Sequence, residues 1–214
     1  MASEQSAFSR IPAHLCIPDF LPGKLHQAML DFMQSEEAGM EPSLVRGGVP
    51  EDADRDRRVN AAARRSMSSS RSCPHADALW DIVAEHMSHV LDTLGVVIPE
   101  NYATEGHCVA HGDGDFFRAH RDIRRGDARN NHRLISLVWY AHNQPKAFSG
   151  GNLRLYALDQ KASVDIEPQD NMAVFFPSYA MHEVREVCVP SGAFADRRFA
   201  YVGWVTRPSG QEAE

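Results

Sequence analysis

The sequence predicts an α+β chain that is mainly β. It places two helices in the first hundred residues and then about eight short strands, closing into a sandwich or barrel. Three observations carry this expectation. Apolar residues at i, i+3/i+4 spacing run through Leu79, Trp80, Val83, Met87, Val90, Leu91 and Leu94 and stop at Gly95. From about residue 102 the pattern changes to short apolar or alternating runs broken by turn residues. The 214 residues, 43% of them apolar, suffice for one sizeable core and make two domains unnecessary.

In chain order, Leu21-Pro22-Gly23 opens a first helix, with Leu25, Ala28, Met29, Phe32 and Met33 on one face. Proline is tolerated there because its missing N–H would be unpaired in the first turn. Residues 41–72 carry Gly47-Gly48, many charges and a serine run, and read as a long excursion with one short strand, a candidate lid. The second helix follows from Pro74. Strands are expected at Leu134–Ala141, Asn152–Ala157, Ser163–Ile166, Met172–Phe176, Val184–Val189 and Arg198–Val205. Two helices followed by strands favour α+β over a βαβ sheet. The expected organisation is residues 1–100 as helical support and lid, 101–208 as the β core and 209–214 as a tail.

Composition narrows the partners. Lys and Arg number 22 against 29 Asp and Glu, a net charge of −7. That balance argues against a nucleic-acid binder, which needs clustered cations. Cys16, Cys73, Cys108 and Cys188 are scattered with no CxxC, against a zinc ribbon or a disulfide scaffold. No apolar leader and no apolar run of membrane-spanning length is present, so the expectation is a cytoplasmic protein without a membrane partner.

The eleven histidines pose the question of a metal. On a strand, residues i and i+2 share a face, so His120 and Asp122 in Phe116-Phe117-Arg118-Ala119-His120-Arg121-Asp122 can reach one ion. The alternative is a hydrogen-bonded His–Asp pair at a strand end. His182, opening the strand after Pro177-Ser178, is the natural third ligand. Two imidazoles and a carboxylate on one face suit Fe(II) and leave positions open. A second H-x-D, His75-Ala76-Asp77, opens a helix, where i and i+2 diverge; there Asp77 favours the positive helix start. His86 and His89 lie one turn apart and read as a solvated face. His182-Glu183-Val184-Arg185-Glu186 is not an HExxH zinc motif. Arg198, 16 residues after His182, is either a surface arginine or the buried cation that seats the far carboxylate of a 2-oxo diacid chelating the metal.

Further elements fall in order around these: Gly112-Asp113-Gly114-Asp115-Phe116-Phe117, Trp139-Tyr140, Phe148-Ser149-Gly150-Gly151-Asn152-Leu153-Arg154-Leu155, Asp165-Ile166-Glu167-Pro168, Phe175-Phe176-Pro177, His182-Glu183-Val184 and Arg198-Phe199-Ala200. The ordered set resembles the iron(II)- and 2-oxoglutarate-dependent dioxygenase superfamily, in its prolyl 4-hydroxylase-like branch, over about residues 108–206. The resemblance implies a double-stranded β-helix, or jelly roll, flanked by N-terminal helices. It implies Fe(II) on His120, Asp122 and His182, and 2-oxoglutarate clamped by Arg198 and hydrogen-bonded by Tyr140. O₂ is the implied co-substrate and ascorbate the implied reductant. The alternative for Tyr140 is a cross-strand core aromatic. The family usually has a tyrosine where this chain has His111; that histidine replaces it as a donor to the co-substrate, touches substrate, or merely ends a strand.

The implied activity is hydroxylation of an unactivated C–H bond with release of succinate and CO₂, on a prolyl residue of a protein or on a small metabolite. Two other readings stand beside it. One is a tailoring oxygenase of secondary metabolism with the same motifs. The other is a non-catalytic jelly-roll module sensing 2-oxoglutarate or metal. Arginines cluster in 46–72 (Arg55, Arg57, Arg58, Arg64, Arg65) and in 123–133 (Arg124, Arg125, Arg129, Arg133). They read either as solvated faces or as a basic rim selecting an acidic substrate.

Overall fold

A computed structural model of the chain describes residues 10–46, 57–123 and 132–208. Its elements run β1 (Leu15–Ile17), α1 (Gly23–Ser35), β2 (Met40–Pro42), β3 (Val45–Arg46), β4 (Arg57–Arg58), β5 (Arg64–Arg65), β6 (Met67–Ser69) and α2 (Ala76–Leu94). There follow β7 (Ala103–His111), β8 (Phe116–His120), β9 (Arg133–Ala141), β10 (Ser149–Gly150), β11 (Leu153–Tyr156), β12 (Ser163–Ile166), β13 (Ala173–Pro177), β14 (His182–Val184), β15 (Val187–Cys188) and β16 (Arg198–Thr206). Among the described residues the fold is mainly β, with two α-helices.

A seven-stranded sheet has the order β1-β13-β9-β16-β7-β6-β2, and a five-stranded sheet the order β12-β11-β14-β8-β5; every pairing is antiparallel. Side chains alternate across the large sheet as the period of two requires. From β9, Ile135, Leu137, Trp139 and Ala141 join the core that holds the helices. Val138 and Tyr140 face the opposite way, into a second core shared with Leu153 and Leu155 of the small sheet. The layers are therefore helices, large sheet, small sheet. Burial on both faces explains why β9 and β13 read as near-continuous apolar runs rather than as alternation.

Both helices cover the large sheet. Helix α2 buries Leu79, Val83, Met87, Val90 and Leu94, the stripe visible in the sequence, and each such side chain contributes about 1.5–3 kcal/mol of burial. It ends at Gly95, which is left-handed at φ 63°. Helix α1 starts after Pro22 and buries Met29, Leu30 and Met33. No helix among the described residues is long and apolar enough to cross a membrane.

Two expectations need correction. The stretch 41–72 is not an excursion with one strand: β6 joins the large sheet beside β7, and β5 joins the small sheet beside β8. Strands of two or three residues carry no readable period, so only their pairing reveals them. The single strand expected over Val184–Val189 divides. His182–Val184 pairs with β8 and β11, whereas Val187–Cys188 pairs with β10. Of the arginine clusters, Arg55, Arg124, Arg125 and Arg129 lie outside the described residues.

Candidate metal centre

His120 closes β8, and His182 opens β14 directly opposite it in the antiparallel register. Their rings sit 4.2 Å apart, centroid to centroid. Asp122 lies just past the end of β8, where its N–H donates to the Ser178 carbonyl at 3.2 Å. The expectation that one strand presents both His120 and Asp122 is thus corrected: the chain leaves the strand after His120, and the bend brings Asp122 round. His120 Nε2 lies 3.7 Å from Asp122 Oδ1, and His182 Nε2 lies 3.7 Å from Asp122 Oδ2. These are too long for hydrogen bonds. One donor atom from each residue lies within 4.8 Å of the other two, the sole such cluster among the described residues.

The protonation states suit a metal. His120 Nδ1 lies 2.8 Å from the Arg118 carbonyl, and His182 Nδ1 lies 3.0 Å from the Ala180 carbonyl. A carbonyl only accepts, so each Nδ1 carries a proton and it is Nε2 of each ring that is directed toward Asp122. Burial first, then the neighbouring His182, push the His120 pKa down to about 3, so the ring is neutral. Burial alone would raise the Asp122 carboxyl, but the adjacent His182 and the Ser136 hydroxyl outweigh it and hold it at about 2. Ser136 Oγ donates to Asp122 Oδ2 at 2.6 Å, and Ser178 Oγ lies 2.9 Å from Ser136 Oγ.

The other end of the cavity is cationic. Arg198, first residue of β16, faces His111 at the end of β7. The guanidinium is 2% exposed and lies 4.8 Å over the Tyr140 ring. Its Nη1 donates to His111 Nδ1 at 3.3 Å, which leaves the His111 proton on Nε2. Burial, then Arg198 and Arg64, drive the His111 pKa well below its usual value. Arg198 Nε and Nη2, Tyr140 Oη and His111 Nε2 are all buried without a hydrogen-bond partner. Each unpaired buried donor costs about 1–3 kcal/mol. A carboxylate, with its several lone pairs, would satisfy these donors, so the residues present fit an oxygen-rich acid.

Gly150 and Gly151 explain their own presence. Both have positive φ (71° and 69°), and a Cβ on Gly151 would lie 2.6 Å from Arg198 Cδ. The guanidinium stem lies against bare backbone.

His120, Asp122, His182, Arg198, His111, Arg64, His107 and Trp204 all line one cavity between the sheets. The structure brings Tyr140 to Arg198 and leaves His75 and Asp77 apart, at the start of α2. Sequence reasoning missed Ser136, a lone polar residue in an apolar run; it named Arg64 only within an arginine cluster, read either as a solvated face or as a basic rim, without placing it beside the metal site. Arg133 is paired with Glu105 at 2.6 Å and stacks over Trp204 at 3.5 Å.

Comparison with known proteins agrees with this geometry. A family model described as the 2OG-Fe(II) oxygenase superfamily matches residues 106–206. A PKHD-type hydroxylase of Synechocystis, itself uncharacterized, is 40% identical over 147 residues, which are 64% of this chain and 48% of that protein. The chain thus spans about half the length of that curated relative. Among solved structures, a Pseudomonas putida prolyl-4-hydroxylase superposes with a TM-score of 0.64 at 21% identity, covering 92% of this chain and 94% of the other. A Trichoplax adhaerens prolyl hydroxylase, in complex with a hypoxia-inducible-factor peptide fragment, gives 0.60 at 21% identity, covering 91% and 83%. A viral collagen prolyl hydroxylase of Paramecium bursaria Chlorella virus-1 gives 0.56 at 14%, covering 92% and 96%.

Proposed function

We propose that the chain, whose residues 106–206 match the 2OG-Fe(II) oxygenase superfamily model, is a member of that superfamily and a hydroxylase of the prolyl 4-hydroxylase type with a double-stranded β-helix core. Its substrate is a prolyl residue of a protein or a small metabolite resembling one. The observation that carries the reading is the pairing, in one cavity, of three free metal-binding atoms with a cluster of unsatisfied buried donors.

In this reading His120 Nε2, His182 Nε2 and the Asp122 carboxylate hold Fe(II) on one face. The Arg118 and Ala180 carbonyls fix both rings, and Ser136 fixes the carboxylate. Arg198 receives the far carboxylate of 2-oxoglutarate in a bidentate fork, with Tyr140 Oη and His111 Nε2–H as additional donors. The neutral tautomer of His111 matters, because an imidazolium could not accept the Arg198 hydrogen bond that orients the clamp. Val109, Val138, Leu153 and Phe176 line the cavity and exclude water from it. When bound, the iron would activate O₂, the oxidant, while 2-oxoglutarate supplies two electrons as it is decarboxylated to succinate and CO₂.

The test measures succinate from 2-oxoglutarate in the presence of Fe(II), O₂ and ascorbate, with and without proline-containing peptides. The expected result is turnover that needs Fe(II) and is lost in His182→Ala. Absence of any Fe(II)-dependent succinate from the wild type, or turnover undiminished in His182→Ala, overturns the proposal.

A further inference from the structure

Arg64 is the feature the mechanism above does not use. It sits on β5, the edge strand of the five-stranded sheet, opposite Phe117 of β8. Its guanidinium lies 4.6 Å over the Phe117 ring, and Phe117 stacks on His120 with centroids 3.5 Å apart and planes 18° apart. Guanidinium, phenyl and imidazole thus form one stack leading to the metal centre. Arg64 Nε donates to Ser66 Oγ at 2.7 Å, and Ser66 Oγ donates to Ser43 Oγ at 2.8 Å, which anchors the stem. The two Nη groups stay free of any carboxylate among the described residues, and the side chain lines the same cavity as His120 and Arg198. Burial depresses its pKa to about 10, with the Asp122 charge opposing.

A count of charges shows what the cavity lacks. Its described lining contains two arginines, Arg64 and Arg198, and one carboxylate, Asp122, the four histidines being counted as formally uncharged. A bound dication uses the Asp122 charge. The formal sum is then three positive, and 2-oxoglutarate with two carboxylates leaves one positive charge uncompensated. The far end of that acid is matched by Arg198, at the opposite side on the large sheet. The cation left over is Arg64, beside the metal through Phe117. Arg64 is half-buried, and a guanidinium partly withdrawn from water with no carboxylate beside it favours an anionic partner.

Resting on the proposed hydroxylase reading, we propose that Arg64 is a specificity-determining residue that binds a carboxylate of the substrate, so that the preferred substrate is an anion bearing its acid group close to the carbon hydroxylated. The carboxylate belongs either to a small amino-acid derivative or to an acidic side chain of a peptide.

The experiment measures binding calorimetrically to the full chain loaded with Mn(II), which holds the site without turnover, and with saturating 2-oxoglutarate. Two matched pairs are compared: N-acetyl-proline with N-acetyl-prolinamide, and the N-acetylated amide of Glu-Pro with that of Gln-Pro. A hydrogen-bonded charge pair of about 1.5–3 kcal/mol corresponds to about 10- to 100-fold. The acid of at least one pair is expected to bind about 10-fold or more tightly than its neutral partner, and the pair that discriminates identifies the source of the carboxylate. In Arg64→Gln that preference falls to about twofold or less. Arg64→Lys, which keeps the charge without the fork, retains part of it, and thermal unfolding confirms that both variants fold. No acid preference in either pair, including no measurable binding of any probe, overturns the proposal, as does a preference that survives Arg64→Gln. Loss of 2-oxoglutarate affinity in Arg64→Gln as large as that in Arg198→Ala also overturns it, by reassigning Arg64 to the co-substrate. Failure of the hydroxylase reading is seen separately, as failure of the wild type to bind Mn(II) and 2-oxoglutarate at all.

Discussion

Ser136→Ala tests how the carboxylate ligand is held. Ser136 is 1% exposed and donates at 2.6 Å to Asp122 Oδ2. Its single proton is committed there, so Ser178, 2.9 Å away, donates to it in turn. Removing a hydrogen bond to a buried charge costs about 1.5–3 kcal/mol. Expressed as acidity, at about 1.4 kcal/mol per unit, that would lift the Asp122 pKa from about 2 to about 3–4. The carboxyl remains ionised at neutral pH, so the loss is one of orientation and not of charge. Outer partners of metal ligands are typically worth about 10- to 100-fold in affinity. The assay is anaerobic titration with Mn(II) or Fe(II) at pH 6 and pH 8, alongside thermal unfolding of the metal-free protein. The expected result is affinity weakened by about 10- to 100-fold, by the same factor at both pH values. An unchanged affinity refutes the role of Ser136, and a loss that disappears at pH 8 refutes the argument that orientation, not protonation, is at stake.

Three other outcomes follow from the cavity. Arg198→Ala should weaken 2-oxoglutarate binding by about 100-fold or more and Tyr140→Phe by about 10-fold, with Mn(II) affinity unchanged; equal co-substrate affinity in the variants would remove the clamp assignment. Gly151→Ala forces a Cβ to within 2.6 Å of Arg198 Cδ at φ 69°, so it should lower stability by about 1–3 kcal/mol and weaken 2-oxoglutarate binding, both read by calorimetry; wild-type values would show that Arg198 moves freely. His111 stays neutral in the folded state below its usual value of 6.5, whereas the unfolded chain takes up the proton. Its contribution to stability is therefore full above about pH 6.5 and is lost as pH falls toward the depressed folded value, by up to about 1.4 kcal/mol per unit. Denaturant titrations of the metal-free protein at pH 7.5 and 5.5 should show a smaller acid loss in His111→Asn than in wild type, and an identical loss would count against a buried neutral imidazole.

What the sequence disclosed tracks where a local period coincides with burial. The α2 stripe, the run at 134–141 and the strand at 163–166 were legible because one face of each, or both, enters a core. The His120-x-Asp122 spacing was legible for a reason the structure replaces, since a bend and not a strand face aligns Asp122 with His182. Ser136 was visible as a hydroxyl amid Leu134, Ile135 and Leu137, although nothing in the sequence said that it would meet a carboxylate 14 residues away. Arg64 was legible only as one member of an arginine cluster, not by its place beside the metal centre. Its two-residue strand acquires meaning only by pairing with β8, more than fifty residues later, and charge alone does not separate it from its neighbour Arg65.

Strand β16 is paired on both sides, with β7 and with β9, and carries Arg198 at one end and the cavity-lining Trp204 near the other. Because inward positions recur every second residue, the guanidinium can be relocated along that strand only in jumps of about 7 Å. A single methylene lengthens an acid by far less than one such jump. Under the proposed seating, divergence toward shorter or longer diacids is therefore closed to gradual sliding of the anchor, and demands reshaping of the walls around a stationary one.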